Sequence, residues 1–339
     1  MAGIIRTKLS KVRRKLRPKG IILMYHRVAD VDNDPWELCV TPANFKEQLK
    51  VLSCFDEVLT LHELSDQIMR KNRLKKAVAL TFDDGYRDNL YEAKTWLEVY
   101  KIPATFFIAA GYINSNKEFW WDELERILLT PGQLPDKLKL DTKQFSWNLE
   151  EDSILEKDDY QKYKNWTAGE HTPTKRHGLY NALWEMIGDY SPENQKDIMS
   201  NVTQWSGNGH TGRVDYYPMT KNELIQFSKS ECIHIGAHTS FHSNLSVLPL
   251  NEQKKEIFEG KQMLETWLKK EITTFSYPYG KFNKDSLNLV KEAGFDFAYT
   301  TGQCLVNGRQ SPYTLPRFQV KNWNGEEFKQ KLSDWLERY

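Results

Sequence analysis

The stretch Ala79-Leu80-Thr81-Phe82-Asp83-Asp84-Gly85-Tyr86 runs an apolar segment directly into two carboxylates and a glycine. The run from Ala77 to Phe82 has the length and continuous apolar character of a strand buried on both faces, as in a parallel sheet covered by helices. Adjacent acids on an extended chain point to opposite sides. A pair at a strand end is therefore able to do two jobs, one acid binding a metal while the other takes a proton. The tripeptide Asp-Asp-Gly by itself also reads as a solvated turn, so the flanking sequence has to decide.

Working outward, strand and helix signals alternate. Upstream, Gly20 to Tyr25 (GIILMY) reads as a buried strand ending in His26-Arg27. Thr41-Pro42 supplies an N-cap and a first-turn proline for a helix carrying Phe45, Leu49 and Leu52. Asp56 to Leu61 reads as a short strand, followed by a helix through Leu64 and Ile68. Downstream, a helix through Leu90, Ala93 and Leu97 leads to the apolar strand Pro103 to Ala109. This rhythm predicts parallel βα units.

At Gly111 the rhythm breaks. Residues 112–218 show helical signals without clear strands and hold six tryptophans: Trp120, Trp121, Trp147, Trp166, Trp184 and Trp205. They read as a Trp-rich helical insertion forming a lobe or lid. Its tryptophans serve either as the core of that lobe or as platforms for sugar rings. The alternation resumes with a capping box at Thr220-Lys221-Asn222-Glu223. Cys232 to Ala237 is a strand ending at His238, Asn251 to Lys269 a long helix, and Ile272 to Tyr277 a strand ending at Pro278-Tyr279-Gly280. A helix from Asn283 to Gly294, strands at Asp296 to Thr300 and Tyr313 to Val320, and a helix opening at Asn324 complete the chain. The expected fold is α/β, a (β/α) barrel built from residues 20–111 and 219–339 and interrupted by 112–218.

Bulk properties narrow the function. The chain has 339 residues, 40% hydrophobic and 27% charged, ordinary for a soluble globular protein. A net charge of +1 gives no general attraction to nucleic acid. Cys39, Cys54, Cys232 and Cys304 are scattered without a CxxC pair, which argues against a zinc ribbon and a disulfide framework. No apolar run approaches the roughly 18 residues of a membrane span. Residues 1–19 carry Arg6, Lys8, Lys11, Arg13, Arg14, Lys15, Arg17 and Lys19 without an acid, and Ile5, Leu9, Val12 and Leu16 fall at helical spacing. This segment reads either as a basic amphipathic helix on an anionic membrane surface or as a solvated terminus. It lacks the apolar core and cleavage site of a secretory signal, so the expected location is cytoplasmic, with peripheral membrane association if the segment forms the amphipathic helix.

In a closed parallel barrel the chemistry gathers at the C-terminal ends of the strands. Those ends are Tyr25-His26, Asp83-Asp84, His238, Pro278-Tyr279 and Arg317. His238-Thr239-Ser240-Phe241-His242 offers two imidazoles four residues apart, suited to one metal if the segment turns helically. Two histidines and one carboxylate form a hydrolytic zinc set with room for water, which leaves the second acid free as a base.

TFDDGY (81–86), HTSFH (238–242) and SYPYG (276–280) resemble, in this order, the first three motifs of the polysaccharide deacetylase family, carbohydrate esterase family four or the NodB-homology domain. LMYHRV (23–28) and LPRF (315–318) resemble flanking elements of a bacterial branch of it. The resemblance implies a distorted, incomplete (β/α) barrel. It implies Asp83 as catalytic base, Asp84, His238 and His242 as ligands of a divalent metal, most often Zn2+, and the Tyr279 backbone N–H as oxyanion donor. The sequence departs from the pattern at Ser276, where many members carry an arginine braced against the base. It departs again at Leu315-Pro316-Arg317, where many carry a leucine-x-histidine that supplies the acid. Arg317 is the candidate to brace Asp83, the alternative being a surface or phosphate contact. His26 is the candidate acid, the alternative being a buried histidine bonded to the rim.

The function expected is a metal-dependent hydrolase that removes an N-acetyl or related acyl group from a sugar. A lipid-linked or nucleotide-linked glycan intermediate of surface-polysaccharide assembly fits the expected location. Two alternatives remain: an amide hydrolase acting on another acyl group or a non-sugar amide, and a non-catalytic sugar-binding protein that retains the metal site.

Overall fold

A computed structural model describes residues 19–338 apart from 73, 75 and 208–211. The proposed basic helix of residues 1–19 lies, except for Lys19, outside the described residues. Seven parallel strands follow one another in both sequence and space: β1 (Lys19–Tyr25), β2 (Ala77–Phe82), β3 (Ala104–Ile108), β4 (Ile233–Ala237), β5 (Thr274–Ser276), β6 (Phe297–Tyr299) and β7 (Phe318–Gln319). β1 and β2 pair from Gly20 with Ala77 to Tyr25 with Phe82, and β7 returns to β1 at Leu23. Between β6 and β7 the ring is closed by a single parallel bridge, Tyr299 to Leu315. The expected strand over Tyr313 to Val320 therefore shrinks to Phe318–Gln319. Pro316 has no N–H to donate to a ladder, and the Arg317 N–H turns away to the Gly302 carbonyl. The result is a distorted, incomplete (β/α) barrel.

The helices begin where the sequence places their caps. These are α1 (Pro42–Leu52), α2 (Leu61–Met69), α3 (Lys94–Tyr100), α4 (Trp120–Leu129), α5 (Lys157–Tyr163), α6 (Lys175–Gly188), α7 (Pro192–Ser206), α8 (Lys221–Phe227), α9 (Leu250–Leu268), α10 (Lys284–Glu292) and α11 (Gly325–Arg338). Thr41 caps α1 through the Asn44 N–H, and full capping boxes open α2 at Thr60/Glu63 and α8 at Thr220/Glu223. Between the sheet and the surrounding helices, Tyr25, Phe82 and Phe106 stack from strand to strand at 5.0 and 4.5 Å and meet Phe45 of α1 and Phe227 of α8.

The segment between β3 and α8 carries helices α4 to α7 around a second apolar core that includes Phe119, Trp120, Trp121, Leu124, Leu179, Leu183, Ile198 and Val202. Tyr86, just past the Asp-Asp-Gly turn, belongs to this core and ties it to the barrel. This segment also contains strands. Lys137–Leu140 pairs antiparallel with Phe145–Asn148, and Gly132–Gln133 with Ile154–Leu155. The alternation of exposed Lys137 and Lys139 with buried Leu138 and Leu140 is the period-two signal that reading by helical spacing passes over. Arg176 is buried and donates to the carbonyls of Leu128, Thr130, Gly132, Asp152 and Ser153, satisfying backbone that these short strands leave unpaired.

Candidate active site

Strand register builds the site. The Asp83 N–H donates to the Tyr25 carbonyl at 3.0 Å, and the His238 N–H to the Ile108 carbonyl at 3.1 Å, each extending its ladder one residue beyond the strand. Asp83 and His238 therefore stand on the same rim. Asp84 does not continue the extended chain. Its φ is 76°, followed by Gly85 at 93°, so the two carboxylates do not face opposite sides as an extended pair would. Both approach one imidazole, with His238 Nε2 lying 3.8 Å from Asp83 Oδ2 and 3.6 Å from Asp84 Oδ1.

The environments of the two acids differ sharply. Arg317 grips Asp83 with two hydrogen bonds of 2.7 Å each, and its guanidinium also donates to Thr81 Oγ1, Ser276 Oγ and the Thr300 carbonyl. Burial pushes the Asp83 carboxyl up, but Arg317, with His238 and His26, more than reverses this and holds it well below the usual carboxylate range. Ser276, in the motif position where an arginine is usual, instead accepts from Arg317.

Asp84 has no such partner. Its Oδ1 is buried and hydrogen-bonded to nothing among the described residues. Burial first, then the charges of Asp83 and Asp122, push its carboxyl well above the ordinary range. A buried carboxylate is stable only with compensating positive charge. His238 donates from Nδ1 to the Ser276 carbonyl at 2.7 Å, so its Nε2 presents a lone pair to Asp84. His242 Nε2 lies 3.5 Å from Asp84 Oδ1. Burial lowers the pKa of both imidazoles, leaving them neutral and able to ligate. One donor atom from each of Asp84, His238 and His242 falls within a 4.8 Å cluster. Tetrahedral zinc with bonds of about 2.0–2.1 Å sets its ligand atoms about 3.3–3.4 Å apart, close to the 3.5 and 3.6 Å found here. The donors and the orphaned oxygen fit a divalent metal.

The His238–His242 segment is an irregular loop, correcting the helical turn on which the four-residue spacing was expected to work. Thr239 and His242 have positive φ, 62° and 54°. Helix α9 holds this shape. Glu256 accepts from the Ser240 N–H with its carbonyl (3.0 Å) and from the Phe241 N–H with its carboxylate (2.9 Å). A Cβ at Gly260 would meet the Thr239 carbonyl carbon at 2.7 Å, so the helix packs this closely only with glycine there. Neither residue carries a signal within the motifs, because their role comes from a long-range contact.

Tyr279 also has positive φ, 57°, in the turn after β5. The bonds of that turn run from the Gly280 N–H to Tyr277 and from the Lys281 N–H to Pro278, leaving the Tyr279 N–H outside them. Its ring packs on His242 at 4.6 Å. Four of the left-handed residues, Asp84, Thr239, His242 and Tyr279, converge on one rim, and strained backbone of this kind clusters at functional sites. His26 is half-buried, and burial, only partly offset by Asp83, pushes its imidazole down to about 4. It is therefore uncharged near neutrality and donates a proton only after taking one up.

Replacing Arg317 with methionine should destabilise the metal-free protein by about 3–5 kcal/mol near neutral pH, the cost of a buried charge left without its partner. In the wild type the Asp83 pKa is depressed on folding, so the contribution of the pair is present above the unfolded value of 3.8 and lost as pH falls below it. In the variant burial is opposed only by the His238 and His26 imidazoles, the folded pKa rises, and stability should instead fall as pH rises above the unfolded value of 3.8. Urea unfolding of both proteins at acid and neutral pH checks this, and a variant with the wild-type pH profile would show that Arg317 does not govern Asp83.

The barrel and its rim define a (β/α) protein with a carboxylate–imidazole centre where functional residues of this architecture gather. The sequence model of the polysaccharide deacetylase family matches residues 70–133 and 187–298, just over half of the chain, and the chain belongs to that family. A poly-β-1,6-N-acetyl-D-glucosamine N-deacetylase of Staphylococcus aureus is 25% identical over 138 residues, 38% of this chain and 47% of the relative. The Bacillus subtilis protein YxkH is 28% identical over 88 residues, 26% of this chain and 32% of the relative. The chain thus spans half or less of the length of these curated relatives. Among solved structures, the Streptococcus pyogenes deacetylase PplD in complex with acetate superposes with a TM-score of 0.58 at 16% identity, covering 93% of this chain and 99% of the other. IcaB from Ammonifex degensii gives 0.55 at 15% identity, covering 93% and 96%. These superpositions confirm the fold.

Proposed function

We propose that this protein is a metal-dependent N-deacetylase that hydrolyses the acylamide of an amino sugar in a glycan. The observation that carries the reading is the contrast between two neighbouring acids. Asp83 is clamped by Arg317, while Asp84 is buried with an unpaired oxygen facing two neutral imidazoles. The name of the staphylococcal relative supplies the substrate class, an N-acetylated glucosamine polymer.

Asp84, His238 and His242 would hold the metal, with zinc the ion best matched to one carboxylate and two imidazoles. When bound, the metal acts as a Lewis acid and brings the pKa of water to about 7. That help matters here, because Arg317 makes Asp83 a weak base. Clamped at both oxygens, Asp83 stays ionised and fixed in direction, ready to receive a proton from the attacking water. The Tyr279 N–H, which makes no backbone bond among the described residues, would donate to the oxygen of the acyl group as charge develops on it. His26, neutral and within the electrostatic influence of Asp83, would relay a proton to the departing amine.

The basic segment 1–19 supports a membrane-adjacent setting, and with it a lipid-linked or nucleotide-linked glycan intermediate in surface-polysaccharide assembly. Mass spectrometry of N-acetylated amino sugars, free and in oligomers, after incubation with zinc-loaded protein tests the reading. Loss of an acetyl group with release of acetate is the expected result. Intact substrates in the presence of fully loaded protein would defeat it.

A further inference from the structure

The four rim side chains at the centre of the site are almost wholly enclosed: Asp83 is 3% exposed, Asp84 2%, His238 1% and His242 8%. Aromatic side chains cover them. Trp121, from α4, packs on the His242 ring at 4.7 Å. Trp184, from α6, stands edge-on to Tyr279 at 5.6 Å, and Trp36 leans on Trp184 at 4.0 Å. Under this cover two polar atoms are buried with no hydrogen-bond partner among the described residues, Tyr279 Oη and Trp120 Nε1. Both belong to rings that touch the Trp184 indole. An aromatic plane adjoining two rings with unpaired polar groups suits a sugar ring, whose C–H face stacks and whose hydroxyls pair.

The cover is fastened unequally. On the side of the Asp-Asp-Gly turn, Trp121 Nε1 donates to Tyr86 Oη and Tyr86 Oη donates to Asp122, both at 2.7 Å and deep in the second core. On the opposite side, Asp189 at the end of α6 accepts from Asn244 Nδ2 at 2.8 Å and lies 3.5 Å from Lys281 Nζ. Lys281 and Asp189 are half-exposed, and such exposed pairs are weak. The seam that yields is therefore the one closed by Asp189, between α6 and the loops after β4 and β5.

An internal unit of a long glycan is linked on both sides and needs an open trough with two exits. A roofed site with one yielding seam admits a unit linked on one side. We infer that the roof formed by Trp121 and Trp184 limits the site to the end unit of a glycan or to a short sugar conjugate, admitted through the Asp189 seam. This inference rests on the deacetylase reading above.

The test uses the zinc-loaded full chain and β-1,6-linked N-acetylglucosamine dimer, tetramer and hexamer tagged at one end, with the deacetylated position mapped by tandem mass spectrometry. The wild type should lose acetyl from an end unit alone, at a similar rate per molecule for each length. Trp184→Ala should add losses from internal units. Asp189→Ala removes the half-exposed ion pair with Lys281 and the acceptor of the buried Asn244 amide. It should speed the removal of zinc by a bulky chelator about three- to tenfold, the effect of one lost hydrogen bond on the fraction of open molecules. Internal units deacetylated by the wild type as fast as end units would overturn the roof and leave the deacetylase reading standing. Unchanged zinc removal in Asp189→Ala would overturn the seam. No acetyl loss from any oligomer or free sugar would bring down both readings.

Discussion

Asp83→Asn is expected to keep its zinc and lose about 10²–10⁴-fold in turnover, the range for removing a general base. The asparagine has the shape of the acid but no basic oxygen of comparable strength, and Asp84 remains to ligate. Arg317 loses one acceptor, since an amide presents a donor where a second carboxylate oxygen stood, but Thr81, Ser276 and the Thr300 carbonyl still hold the guanidinium. A loss of stability short of unfolding should accompany the loss of turnover. A merely acidic turn would tolerate loss of either aspartate alike. The comparison with Asp84→Asn is therefore decisive, because that variant should lose zinc first and turnover as a consequence, with partial recovery at high zinc. Zinc content and acetate release measured on both variants separate the cases. Normal turnover in Asp83→Asn would place the base elsewhere.

His242→Ala should abolish stoichiometric zinc binding at neutral pH. Removing a group that only hydrogen-bonds to a metal's ligand costs about 10–100-fold in affinity, and loss of a ligand atom should exceed that. The remaining pair, Asp84 and His238, cannot compensate, because the loop is pinned by Glu256 and closely packed at Gly260 and so cannot bring another donor in. Elemental analysis after desalting decides it. Wild-type zinc in His242→Ala would remove this residue from the ligand set.

Much of this was legible from the chain. The apolar run into Asp83, the strand-end position of His238 and the turn at Tyr279 place these residues on one rim, because in a parallel barrel strand ends must converge. Arg317 is a candidate brace for Asp83 only through the family resemblance, because Ser276 stands where many members carry an arginine, and the sequence leaves a surface or phosphate contact as the alternative. Other features were not readable. The left-handed backbone at Asp84 and Thr239 is imposed by packing and leaves no mark in residues of ordinary propensity. Glu256 and Gly260 act across a helix–loop contact distant in sequence. The small sheets near Leu138 are too short to stand out among helical signals. The burial of the rim beneath Trp121 and Trp184 depends on how two cores meet, which no local pattern encodes.

The most direct test of metal-dependent deacylation is a zinc titration of the stripped protein that follows bound zinc and acetate release together on one N-acetylated glucosamine substrate. The account predicts no release from the stripped protein, then turnover rising in proportion to bound zinc and levelling at one ion per chain. Full turnover by the stripped protein, or one bound zinc per chain with no turnover on any acylated sugar, would contradict it.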